Sequence, residues 1–159
     1  MAVVIPAGIY DGLIDHALAE LPNECCGLAE YDDGSGMVVS ATRLENAEPS
    51  PMRFAFSSPD LLEIPRIEER GLVPVIYHSH VASEATPSQT DITFAAGWPG
   101  VPWLIAGPFA GTGRPALRWF DIDDGAVSER PVRRGRPRRP RRDRVASGGG
   151  RDAPADPRS

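Results

Sequence analysis

The chain has 159 residues, 41% of them hydrophobic and 25% charged, which suits one domain with a modest core. No apolar run approaches the ~20 residues a membrane helix needs, and Met1–Pro6 lacks the basic start and apolar stretch of a secretory signal. The formal charge of -5 is unevenly spread: residues 1–129 hold 6 arginines against 19 acids, residues 130–159 hold 11 arginines against 3 acids, and lysine is absent. Genome composition bias is the simplest source of that all-arginine usage. The two cysteines, Cys25 and Cys26, are neighbours and cannot staple distant segments, so a reducing, cytoplasmic setting is expected.

Ile9, Leu13, Ile14, Ala17, Leu18 and Leu21 recur at helical spacing and predict a helix over about residues 7–20, ended by Pro22-Asn23. Glu24 then falls in the turn before the next strand. Strands are expected over Cys26–Tyr31 and Met37–Leu44, joined by a hairpin turn at Asp32–Gly36. Asn46–Pro51 reads as a loop, and Arg53–Phe56 as a short edge strand. Ser58-Pro59 suggests a helix cap followed by proline at the first helical position, with the helix running to about Arg70 and kinked or broken by Pro65. Val73–His78 is short, apolar and β-branched, as a buried central strand should be. A short helix is expected over Pro87–Ala96, a buried strand over Trp103–Ala106, and a final hairpin from Leu117–Ile122 and Ala126–Pro131 across Asp123–Gly125. Mixed α and β elements of this kind imply one sheet with helices against it. Beyond Val132 the arginine, proline and glycine content leaves little to join a core. The domain is therefore placed at 1–132, with a disordered tail at 133–159.

The chemistry concentrates in His78-Ser79-His80 and Ser88-Gln89-Thr90-Asp91. Histidines two apart on a strand end point to the same side and can share one ion, with Ser79 turned away. Thr86 is expected to cap the following helix, with Pro87 as its first residue and Gln89 as the reciprocal capping-box partner. Ser88 and Asp91 then lie on one face of the first turn. His78, His80 and Asp91 make a three-ligand set that leaves the fourth tetrahedral position of a zinc ion to water. Glu24 is suited to move the proton of that water and Ser88 to donate to an oxyanion. Iron or manganese fits a similar donor set, zinc best. His16 lies outside this pattern and is read as a packing or surface residue. Cys25 and Cys26 are read as small buried hydrophobes, and Trp98, Trp103 and Trp119 as core or rim packing.

Glu24, followed distantly by His78, His80, Ser88 and Asp91 in the spacing His-x-His-(seven residues)-Ser-x-x-Asp, resembles the signature of the JAMM, or MPN+, zinc metalloproteases. The likeness spans about residues 5–132. It implies a cytidine-deaminase-like α/β fold, one zinc ion on His78, His80 and Asp91, Glu24 as general acid/base, and Ser88 as oxyanion donor. It also implies hydrolysis of the amide after the C-terminal glycine of a ubiquitin-like protein. The run Tyr77–Asp91 is similar to small bacterial members, above all actinobacterial peptidases that release cysteine from a sulfur-carrier protein ending in Gly-Gly. Val81 departs from the proline many members carry there, and the arginine-rich tail has no counterpart. The short loop between Leu44 and Phe54 argues against the large substrate-gripping insertions of eukaryotic deubiquitinases. A protein-deconjugating isopeptidase, another JAMM hydrolase and a non-catalytic MPN binding module are the alternatives. The tail could contact nucleic acid or an acidic protein electrostatically, although a solvated tail is the simpler reading.

Overall fold

A computed structural model describes residues 2–109 and 115–136. Its elements run β1 (Val3–Ile5), α1 (Ala7–Glu20), β2 (Cys26–Asp32), β3 (Met37–Leu44), α2 (Ser58–Leu61), α3 (Glu63–Glu69), β4 (Val73–Ser79), α4 (Gln89–Ala95), β5 (Trp103–Gly107), β6 (Ala116–Asp123), β7 (Ala126–Arg130) and β8 (Val132–Arg134). The eight strands form one sheet in the order β7-β6-β5-β4-β2-β3-β1-β8. It is mixed: β2 runs antiparallel to β3 and β4, and β5 parallel to β4. The sheet curls until β8 meets β6, which nearly closes it. The single mixed sheet with flanking helices expected from the sequence is therefore present. Among the described residues no helix is long and apolar enough to cross a membrane.

Alternation along the central strands builds two cores. Val75, Tyr77, Leu104 and Trp119 face α1 with Leu13 and Ala17. Ile76, Trp103, Ile105 and Phe120 face the other side with Ile64 and Ile67 of α3. His78 shares the parity of Ile76 and so rises from this second face. Tyr77 turns the other way and lies across Gly27, where an added Cβ would sit 2.3 Å from the Tyr77 ring and 2.4 Å from the Thr42 carbonyl. Tyr77 Oη meets His16 Nδ1 at 2.8 Å in the interior. His16 is thus a packing residue that docks α1 on the sheet, and burial lowers its pKa, aided by Arg43.

The expected break at Pro65 is present and three other local expectations are corrected. The helix after Ser57 is two helices: α2 ends at Leu61, and Leu61 is the i−4 residue whose carbonyl the Pro65 ring would strike. Its cap is Ser57, whose hydroxyl accepts from Asp60 N, and not Ser58. Arg53–Phe56 forms no strand: the Asn46 side chain takes the Arg53 carbonyl and the Ala55 N–H, and the Ala55 carbonyl accepts from Ala47 N at 2.9 Å, with no ladder to a neighbouring strand. The boundary drawn at Val132 falls inside β8, where Val3, Val4 and Ile5 pair with Val132, Arg133 and Arg134. Arg134 also forms a two-point ion pair with Asp11, at 3.0 and 2.7 Å. The expected disordered segment lies outside the described residues from residue 137 onward.

Candidate metal and catalytic site

Glu24 sits in the loop before β2, His78 in β4, His80 one residue past its end, Ser88 at the N-cap of α4 and Asp91 in its first turn. Register brings the first of these to the rest. Cys26 pairs with His78, so two residues further out Glu24 lies opposite His80. The Ser79 N–H donates to the Cys25 carbonyl at 3.2 Å, and the Cys25 N–H donates to Ser79 Oγ at 2.8 Å. Ser79, expected merely to face away, clips the Glu24 loop to β4.

The Asp91 side chain closes the site. Thr86 does not cap α4 and Gln89 is not the capping-box partner. Ser88 is the cap, with its Oγ accepting from Asp91 N at 3.1 Å while Ser88 N donates to Asp91 Oδ2 at 2.9 Å. An Asp91 carboxylate three residues past Ser88 is a stronger acceptor than a Gln89 amide three residues past Thr86, so the cap shifts onto Ser88. The same Oδ2 lies 3.2 Å from His78 Nε2 and 3.1 Å from His80 Nε2, and the two Nε2 atoms are 3.0 Å apart. With bonds of about 2.0–2.1 Å, adjacent tetrahedral zinc ligands stand about 3.3 Å apart. The triangle of donors fits that edge length, and all three residues are buried. His80 Nδ1 donates to the Glu84 carbonyl at 2.7 Å, which orients the ring and aims Nε2 at the triangle. The His78 ring is held by aromatic faces, stacked on Phe54 at 4.6 Å and edge-on to Trp103 at 5.5 Å.

Electrostatics separates the acids. Burial disfavours charge on Asp91, but hydrogen bonds from His78 and His80 outweigh it and hold its carboxyl far below the usual range. Glu24 is only 5% exposed. Burial drives its pKa to about 7, against a lowering by His80 and with a further push from Asp91. One carboxyl is thus a permanent anion and the other is poised to exchange a proton at neutral pH. Ser88 Oγ accepts from Asp91 N, which leaves its hydroxyl proton to be donated elsewhere. Cys25 and Cys26 are buried free thiols whose pKa values burial raises to about 11 and about 12, so neither is a nucleophile. Trp103 and Trp119 are core residues.

The profile of prokaryotic homologs of the JAB domain matches residues 6–120. The chain belongs to that family. It is the JAMM family that the His-x-His and Ser-x-x-Asp spacing resembles. Over 132 residues the chain is 36% identical to the CysO-cysteine peptidase of Mycobacterium tuberculosis, which covers 82% of this chain and 89% of that one. It is 32% identical over 114 residues to the desampylase of Haloferax volcanii, covering 65% of this chain and 79% of the relative. The solution structure of protein DSY2949 from Desulfitobacterium hafniense superposes with a TM-score of 0.70 at 27% identity, covering 86% of this chain and 95% of the other. Sequence reasoning missed Asn46, Phe54, Ser79 and the Glu84 carbonyl. An asparagine just beyond a predicted strand offers a weak signal, since its side chain can bond nearby main chain, and the other three carry none.

Proposed function

We propose that the chain is a zinc-dependent peptidase that hydrolyses the amide after the C-terminal glycine of a ubiquitin-like sulfur-carrier protein, releasing cysteine. The observation that carries this reading is the convergence of His78 Nε2, His80 Nε2 and Asp91 Oδ2 to 3.0–3.2 Å beside a glutamate poised near neutrality. His78, His80 and Asp91 would hold the metal. Bound there, zinc supplies Lewis acidity that brings the pKa of water toward about 7. Glu24 takes a proton from the attacking water and returns it to the leaving nitrogen as the C–N bond breaks. The products are the carrier's free carboxylate and an amine. The Ser88 hydroxyl donates to the oxyanion formed on the glycine carbonyl oxygen. Glu24 is itself only 5% exposed, which limits its contact with bulk water.

The likeness to the CysO-cysteine peptidase favours cysteine as the leaving group. The likeness to the desampylase favours a second reading, in which the chain removes a ubiquitin-like modifier from a protein amine. Both act on the same acyl side, and a cytoplasmic location suits either. Zinc-loaded protein incubated with a carrier–cysteine conjugate and with a carrier–lysine isopeptide separates them by mass spectrometry. Release of cysteine alone supports the first reading. Turnover of the isopeptide alone supports the second, and hydrolysis of neither refutes both.

A further inference from the structure

The Glu24 carboxylate makes no hydrogen bond among the described residues, so its aim is set by its main chain. That main chain is held by one short segment. Glu24 N donates to the Ser50 carbonyl at 2.8 Å, and the Glu24 carbonyl accepts from Asn46 Nδ2 at 3.2 Å. Asn46 is buried, two residues past the end of β3. Its amide also donates to the Arg53 carbonyl at 3.1 Å and accepts from Glu48 N and Ala55 N, both at 3.0 Å. A primary amide has two donor hydrogens and an oxygen with two lone pairs, and here every one is used. The partners also fix which end is nitrogen, since both atoms near it are carbonyl oxygens and both near the oxygen are N–H groups.

The second pair of contacts reaches the metal ligands. Arg53 and Ala55 flank Phe54, whose ring stacks on His78 at 4.6 Å. One side chain therefore anchors the base on one flank and, through Phe54, the support of a histidine on the other. We infer that Asn46 is a positioning residue: it sets the Glu24 carboxylate against the reacting water and holds Phe54 on His78, without itself touching substrate. The inference rests on the roles given above to Glu24 and His78.

Asn46→Asp is nearly isosteric. It keeps the two accepted hydrogen bonds, loses both donations and sets a carboxylate against the Glu24 and Arg53 carbonyls. Asn46→Ser, able to donate to one carbonyl only, serves if the aspartate variant folds poorly. On the zinc-loaded full chain with a carrier–cysteine conjugate, kcat is expected to fall at least about tenfold. KM and metal stoichiometry should stay near wild type. Single-turnover rates complete a cycle with Glu24→Gln: if Asn46 acts through Glu24, the second substitution adds little to the first. An equal loss in both backgrounds, or an unchanged kcat, overturns the inference. Hydrogen exchange gives a readout that needs no substrate. Asn46→Asp frees the Glu24 carbonyl and should speed exchange at the Glu24 amide, while the Ala55 amide, still bonded to the new carboxylate, and β4 keep their protection; uniform loss of protection would mark a merely structural role. An inactive wild type would sink the proposed activity, and the exchange result would still decide for or against Asn46.

Discussion

Glu24→Gln tests the site's central claim from two sides. The carboxyl is 5% exposed, and burial lifts its pKa from the usual 4.5 to about 7. At 1.36 kcal/mol per tenfold change in proton affinity, holding the charged form in the fold costs about 3 kcal/mol. The sign follows from linkage. Between pH 4.5 and 7 the folded chain keeps a proton that the unfolded chain has released, so stability falls as pH rises through this window and levels above it. Glutamine is neutral throughout and escapes that loss. With metal removed by a chelator, so that no cation offsets the charge, urea unfolding should show equal stability for both proteins near pH 4.5. By pH 8 the variant should be more stable by up to about 3 kcal/mol. The zinc-loaded variant should meanwhile bind metal normally and lose turnover by about 10²–10⁴-fold, the usual worth of a general acid/base. Stability curves that run parallel from pH 4.5 to 8 would show that the carboxyl is not desolvated, and retained turnover would remove it from the chemistry.

Ser88 and Asp91 share a cap but divide the chemistry. Ser88→Ala should keep metal, lose about 1 kcal/mol of stability and lower kcat about 10²–10³-fold, whereas Asp91→Ala should abolish metal uptake by elemental analysis; identical metal loss in both would contradict the division. Burial opposes a charge on His80, but its hydrogen bonds to Asp91 and the Glu84 carbonyl outweigh it and raise its pKa. Metal must displace any proton His80 holds, so uptake should release more protons, and affinity should weaken, as pH falls; calorimetry in buffers of different ionisation enthalpy reads that release, and uptake with no release at any pH would count against His80 as a ligand. Gly27→Ala should cost about 1–3 kcal/mol or more, because the new methyl meets both the Tyr77 ring and the backbone oxygen of Thr42. A wild-type melting temperature would show that β2 and Tyr77 are less tightly packed than described.

The main elements were legible because their patterns are local. The α1 stripe, the Asp32–Gly36 hairpin and the apolar run ending at His78 each announce themselves within a few residues. So did the grouping of His78, His80 and Asp91, which all lie within one strand-loop-helix unit. What escaped depends on tertiary partners. β1 and β8 are three residues each and exist as strands because they pair with each other across the whole chain. The cap moved from Thr86 to Ser88 because Asp91 serves the helix end and the histidines at once. No local pattern states that Phe54 will lie on His78, or that Asn46 will replace the neighbouring strand that Arg53–Phe56 was expected to find.

Glu24 joins a triad 54 residues away through register rather than loop design. Because β2 and β4 are antiparallel neighbours, the residues before one and after the other meet at the same edge of the sheet. The pairing of Cys26 with His78 extends outward to Cys25 with Ser79, held by hydrogen bonds of 2.8 and 3.2 Å, and then to Glu24 with His80. A slip of one residue would set Glu24 beside Ser79 and turn its side chain to the α1 face. Two packed features resist that slip. Tyr77 fits over Gly27 and over no residue bearing a Cβ, and Cys26 and Leu28 fill the core that Ile76 shares. The distance between Glu24 and the His78–His80–Asp91 group is therefore fixed by the interior of the sheet, and only the aim of the Glu24 carboxyl is left to the segment that begins at Asn46.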